Sequence, residues 1–274
     1  MTRCLVVALC CLFALQAVPQ AAEVTLKGPF IQGGLIFGQA QPGAKASLDG
    51  RPLRMTADGR FIFGFGRDAA AKATLEVAAP DGSVTTQELE IGRRDYDIQR
   101  IDGIAKDYVS PPEEVLARIR ADSEAAAKAR AADRPETDFD SGFTWPALGP
   151  ISGVYGSQRI LNGEPRQPHY GVDIAGPVGT PVTAPADGVI TLAHPDMYFS
   201  GATLIIDHGH GLSSTFLHLE KIEVMEGQRV RQGEVVALMG KSGRVTGPHL
   251  DWRMNWRDER IDPTLLVPPM PKTE

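Results

Sequence analysis

Hydrophobic and polar positions along this 274-residue chain fall into three regimes, two of them strand-like and one helical. From Glu23 to Ile101 the runs are short, alternating or aromatic-rich: Val24–Lys27, Gly34–Phe37, Ala46–Leu48, Arg60–Phe63, Thr74–Val77 and Thr85–Ile91. Pro42-Gly43, Asp49-Gly50, Asp58-Gly59 and Pro80-Asp81-Gly82 punctuate them as turns. Closely spaced hairpins of this kind predict a small antiparallel β-sandwich over residues 23–101. That segment holds no histidine and no paired carboxylates in a catalytic spacing, so its expected role is scaffolding.

The pattern then changes period. Ser110 reads as an N-cap, Pro111 and Pro112 sit where a first turn tolerates them, and Glu113 completes a capping box. Val115, Leu116 and Ile119 begin an apolar stripe that fades into an Ala/Arg/Lys/Glu-rich tract ending near Ala132, all strong helix formers. Residues 102–144 are therefore expected to be a linker: a solvated spacer helix, then a loop from 133 to 144.

From Trp145 the chain is again strand-like, through Ile151–Tyr155, Gly188–Ala193, Ala202–Asp207, Leu212–Leu217, Val235–Met239 and His249–Met254. The Gly- and Val-containing segments Thr180–Gly188 and Glu226–Glu234 resemble the paired hairpins of barrel-sandwich folds. The fold class expected is mainly β: an N-terminal sandwich, a spacer helix and a C-terminal barrel-sandwich domain over 145–274.

Composition narrows the setting. Residues 1–22 read as an export signal, with Arg3, an apolar run from Cys4 to Leu15, and Ala21-Ala22 before Glu23. The run is too short to span a bilayer, so no stable membrane span is expected in the mature chain. All three cysteines lie inside it, which leaves any metal to be held by histidine and carboxylate. The net charge of −6 with no basic cluster argues against a nucleic-acid partner.

All six histidines fall between residues 169 and 249, which favours a site over scattered core histidines. His169 and Asp173 are spaced so that a loop centred on Gly171 could fold around one cation. His249 and Asp251 are two apart, so on a strand both face one way while Leu250 and Trp252 face the other. His218, between Leu217 and Leu219, would stand on the face opposite both; alone it reads better as a satisfied core histidine.

Taken in order, His169-x-x-x-Asp173, Leu217-His218-Leu219 and the box from Ser242 to Leu250 with Gly247-Pro248-His249-Leu250 resemble the lysostaphin-type zinc metallopeptidases. These enzymes, which have the duplicated hybrid motif fold, cut peptidoglycan cross-bridges. The resemblance spans roughly residues 145–267. It implies a Zn2+ ion held by His169 and Asp173, with His218 and His249 as the catalytic pair that orients and deprotonates the attacking water and steadies the oxyanion. It also implies a metalloendopeptidase acting on peptidoglycan peptides in the periplasm or cell envelope.

The sequence departs from the family at Asp251, where the third ligand is normally histidine. Three readings stand. Asp251 ligates through oxygen, giving a metal set of His169, Asp173 and Asp251 that leans toward a harder ion such as Mn2+. Alternatively Asp251 cannot reach and the domain is a catalytically degenerate cell-wall-binding or amidase-activating module, or another residue completes the shell. A carrier domain sharing only the hairpins is disfavoured, because no lysine sits at a hairpin tip.

The remaining histidines read more blandly. His208 and His210 flank Gly209 as turn residues, His208 being the one nearer the site. His194 reads as a loop residue and Asp187-Gly188 as a hairpin turn, while Tyr198 is either a groove lining or a loop anchor.

Overall fold

The computed structural model describes residues 23–103, 107 and 111–271. The export signal over 1–22 and the Ser110 cap lie outside the described residues. Seven strands open the chain: β1 (Thr25–Lys27), β2 (Leu35–Gln39), β3 (Lys45–Leu48), β4 (Arg51–Pro52), β5 (Arg60–Gly64), β6 (Lys72–Ala78) and β7 (Val84–Glu90). They pair as two antiparallel sheets, β1-β2-β5 and β4-β3-β6-β7. Alternation does the packing: in β6, Ala73, Leu75 and Val77 are buried while Lys72, Thr74 and Glu76 are exposed. Between the sheets lie Ile36, Phe61 and Phe63, each at most 1% exposed.

β8 (Ile98–Ile101) leaves this sandwich, and helix α1 (Leu116–Arg130) follows a 3-10 turn at Glu113–Val115. The strands beyond the helix are β9 (Ile151–Gly153), β10 (Gln158–Leu161), β11 (Glu164–Pro165), β12 (Gly171–Ala175), β13 (Pro181–Thr183), β14 (Gly188–Met197) and β15 (Gly201–Gly209). β16 (Leu212–Ile222), β17 (Arg229–Val230), β18 (Val235–Met239), β19 (His249–Trp256) and β20 (Glu259–Ile261) complete the set. A ten-stranded sheet runs β17-β14-β15-β16-β19-β12-β9, with β13, β18 and β20 pairing off that path. β8 adds in parallel to β10, tying the first region to the second. The two regions also meet where Arg94 pairs with the buried Asp262 at 2.8 Å.

Several expectations need correction. His169–Asp173 is not one cation-binding loop, because Gly171–Ala175 is a central strand bonded to β19 and β9. Val172 and Ile174, both fully buried, supply the apolar face that holds it there. His194 lies in β14 rather than a loop. Nor is α1 a solvated spacer. Ala125, Ala126 and Ala129 pack on Leu192, Met197 and Ile205. Arg118 reaches Asp196 at 2.7 Å, and the Asp122 carboxylate accepts from the Tyr198 N–H at 2.7 Å. The contact face is alanine, too small to produce an apolar stripe, and Lys128 and Arg130 in the last turn complement the helix dipole.

Turn residues behave as their chemistry suggests. His210 takes a positive φ of 51° between two glycines, and its Nε2 lies 3.2 Å from the Pro135 carbonyl. His208, however, is inside β15 and fully buried. Its Nδ1 donates to the Asp187 carbonyl at 2.6 Å and its Nε2 accepts from the Ser214 hydroxyl at 2.9 Å, so both nitrogens are occupied.

Burial pushes the His208 imidazole down from 6.5 to about 4. Between these values the unfolded chain binds a proton that the folded chain refuses. Its stabilising effect is therefore complete above the unfolded pKa and is lost as pH falls, by roughly 3 kcal/mol. Urea unfolding at pH 7 and pH 4.5 should show this loss in the wild type and a flatter dependence in His208→Gln; equal slopes in both would refute it.

Candidate active site

β12 and β19 lie side by side with Asp173 directly opposite Asp251 and Gly171 opposite Arg253. Leu250, Trp252 and Met254 turn into the core at 0% exposure. The two-residue period therefore turns His249, Asp251 and Arg253 to the other face of the sheet. Room for these groups comes from glycine. A Cβ at Gly171 would stand 2.5 Å from Asp251 Oδ1 and 2.6 Å from Arg253 Cγ, and one at Gly153 would stand 2.2 Å from Asp173 Oδ2.

His169 enters from the segment before β12, its ring 0% exposed. Its Nε2 lies 2.9 Å from Asp173 Oδ1 and 3.4 Å from Asp251 Oδ2. His249 Nε2 lies 3.8 Å from the same Asp173 oxygen, and the His218 and His249 rings are 4.9 Å apart. The structure thus brings together all five residues singled out from the sequence: His169, Asp173, His218, His249 and Asp251.

His218 arrives by a route that strand alternation does not give. Leu217 pairs with Asp251 and Thr215 with Arg253, so these two share the site's face while Phe216 is in the core. Strict alternation would send His218 into the core as well, opposite Leu217. Instead Leu217 and His218 together face the stretch between Ala202 and Leu204, a bulge, and His218 takes a left-handed φ of 64°. His218 and Leu217 then line the same cavity. A buried non-glycine residue in this region is strained, a cost that functional positions tend to carry.

The three histidines are set in one tautomer. Nδ1 donates to a backbone carbonyl in each: Val154 for His169 at 3.2 Å, Ser242 for His218 at 2.8 Å, and Gly247 for His249 at 2.9 Å. That leaves each Nε2 as the ring atom available to a metal or a proton.

This decides whether the donors suit a metal. His169 Nε2 and Asp173 Oδ1 are buried and 2.9 Å apart, and Asp251 Oδ2 lies 3.4 Å from the same nitrogen. Without a metal a proton on Nε2 bridges these groups, and with the proton displaced the imidazole nitrogen and carboxylate oxygens are an ordinary donor set for zinc. His169, Asp173 and Asp251 offer ligand atoms within 4.8 Å of one another. The residues fit a divalent ion.

Residues 167–263 match the model of peptidase family M23. The chain carries a peptidase family M23 domain. It is 35% identical over 132 residues to the peptidoglycan DD-endopeptidase ShyB of Vibrio cholerae, covering 47% of this chain and 28% of that protein. It is 41% identical over 97 residues to ShyA of the same organism, a peptidoglycan DD-endopeptidase, covering 35% and 22%. The chain spans about a quarter of the length of these curated relatives. A crystal structure of a Pseudomonas aeruginosa protein assigned to family M23 superposes over 86% of this chain and 94% of that one, with a TM-score of 0.66 and 29% identity. That likeness takes in the N-terminal sheets as well as the M23 domain.

Sequence reasoning missed two residues of the M23 site, both arginines. Arg159 Nη2 donates to Asp173 Oδ2 at 2.7 Å. Arg253 grips Asp251 with Nη2 to Oδ2 at 2.6 Å and Nε to Oδ1 at 3.0 Å. Burial raises both carboxyls, but cations outweigh it: His169 and Arg159 hold Asp173 below the usual range, and Arg253 with His169 holds Asp251 well below it. The extra negative charge that aspartate brings in place of histidine is thus answered within the same strand, two residues on. Burial lowers the His169 imidazole's proton affinity, yet Asp251 and Asp173 outweigh it and raise the pKa. A proton and a metal ion would compete for the same nitrogen.

Removing Arg253 strands a carboxylate that is fully buried. Arg253→Met should therefore cost about 3–5 kcal/mol in chelator-treated protein, and added zinc should recover part of the loss. Denaturant unfolding with and without the metal checks it; an unchanged midpoint without metal would refute the pairing.

Proposed function

We propose that this chain is an exported metal-dependent endopeptidase that hydrolyses peptide cross-links of peptidoglycan. In this reading His169, Asp173 and Asp251 hold one zinc ion and act with His218 and His249 in the periplasm or cell envelope. The observation that carries the reading is the buried cluster of His169, Asp173 and Asp251, whose ligand atoms lie within 4.8 Å of one another, beside two histidines whose Nδ1 atoms are tied to backbone carbonyls. The named activity of ShyB and ShyA supports the substrate class. Among the described residues no helix is long and apolar enough to cross a membrane.

Zinc, when bound, would act as a Lewis acid that polarises the scissile carbonyl and acidifies water. The chain's own residues do the rest. Burial lowers the His218 imidazole to about 4, so at neutral pH the ring is uncharged and its Nε2 is a hydrogen-bond acceptor. His249 stands between His218 and the carboxylates, where its Nε2 accepts a proton from the attacking water and, once protonated, donates a hydrogen bond to the developing oxyanion. The backbone carbonyls at Ser242 and Gly247 hold both rings in the required orientation.

One observation favours the runner-up, a non-hydrolytic cell-wall-binding or amidase-activating module. The two-toothed Arg253 grip occupies both Asp251 oxygens, leaving less of the carboxylate for a metal.

Metal analysis and release of muropeptides from purified sacculi separate the two. The hydrolase reading expects about one zinc per chain, lost in His169→Ala, and a fall in release of at least ~10²-fold in His249→Ala. A wild type without metal, or activity that survives both changes, sinks it. Sacculus binding without release in the wild type, with release gained by Asp251→His, would install the second reading.

A further inference from the structure

Beside His218 lies a cavity of about 360 Å3 between the M23 sheet and helix α1. Five guanidinium groups line it, from Arg130, Arg159, Arg244, Arg253 and Arg260, against one carboxylate, Asp122. Such a concentration of positive charge is unexpected in a chain of net charge −6. Arg159 and Arg253 are spent on Asp173 and Asp251. Asp122 already accepts from the Tyr198 backbone.

Of the other three, Arg244 and Arg260 lie over aromatic rings. Arg260 donates to the neutral amide oxygen of Asn255 at 3.1 Å and lies over the Tyr170 ring. Arg244 lies over Phe199 with its guanidinium carbon 4.7 Å from the ring centre. No carboxylate among the described residues pairs with Arg130 or Arg260. Burial, with the neighbouring arginines, pulls both Arg244 and Arg260 down to about 10, and Arg130 is lowered for the same reasons. Mutually repelling cations in a partly dry cavity are stable partners for an anion that enters from outside.

We propose that Arg130 and Arg260, with Arg244 beside them, form a carboxylate-binding subsite that selects substrate peptides carrying a free carboxylate near the scissile bond. Guanidinium matches a carboxylate in shape and hydrogen-bonding pattern. The cavity's volume suits one or two amino-acid residues, and His218 in its wall places the bound carboxylate next to the reacting centre. One of the three arginines, Arg130, comes from α1, so the helix contributes to specificity as well as to packing. The proposal rests on the peptidoglycan-peptide reading for its substrate.

The test compares native sacculi with sacculi whose free carboxyl groups have been converted to amides, using the full chain. With native sacculi, Arg260→Gln and Arg130→Gln should each raise KM roughly tenfold with kcat nearly kept, and Arg260→Lys should recover part of the loss. With amidated sacculi the wild type should fall to the level of the variants. Arg130→Gln, on the helix surface, keeps the test alive if Arg260→Gln fails to fold. A soluble cross-linked muropeptide amidated only at its chain end, or only at its internal carboxyl, tells which carboxylate is read.

Equal cleavage of native and amidated sacculi overturns the subsite while leaving the hydrolase intact. If nothing is cleaved, co-sedimentation of chelator-treated protein with the two kinds of sacculi decides. Binding that needs both the carboxylates and the arginines supports the subsite even though the hydrolase reading has failed, and binding indifferent to them overturns it.

Discussion

Two carboxylates facing each other across neighbouring strands in a buried sheet are the constraint on which the rest of this molecule turns. Asp173 and Asp251 occupy directly opposed positions of β12 and β19, an arrangement that is repulsive in any antiparallel pair and more so away from water. The surroundings answer it from three sides. His169 sits between the two, Arg159 takes the far oxygen of one, and Arg253 clasps the other. Such a centre holds together without metal, and a cation entering it meets ligands already oriented.

Orientation has consequences for the backbone. Glycine stands at both points where a strand passes a carboxylate, Gly153 against Asp173 and Gly171 against Asp251. The bulge at His218 redirects one side chain from the core face to the site face, and a carbonyl from the loop at Ser242 pins the ring once it is there. These features make sense only together, since an imidazole turned toward the site without a fixed tautomer would have no defined chemical role.

Legibility in the sequence followed the range of the signal. Most strands could be read because alternation is local, and the ligand candidates because their spacings are short: His169 with Asp173, and His249 with Asp251. β12 was taken for part of a loop because its five residues show too little alternation around Gly171, although burial on both faces makes it central. Arg159 and Arg253 went unnoticed because an arginine that neutralises a buried acid obeys no spacing rule. Arg253 could have been found, as the third residue on the face that carries His249 and Asp251. The positive φ at His218 had no signal at all, since nothing in Leu217-His218-Leu219 marks a bulge. The helix looked solvated because its docking face is built from alanine.

That helix separates two things usually inherited together. The residues proposed to hold the metal all lie within 167–263, whereas one wall of the adjoining cavity is supplied by a segment that ends about forty residues earlier and touches the sheet through a handful of alanines. If both proposals hold, chemistry and selectivity are encoded in different parts of the chain. A change confined to the helix can retune which peptides are accepted without disturbing the reacting groups, and a domain excised without it would keep the reacting groups while losing one side of the pocket that positions what they act on.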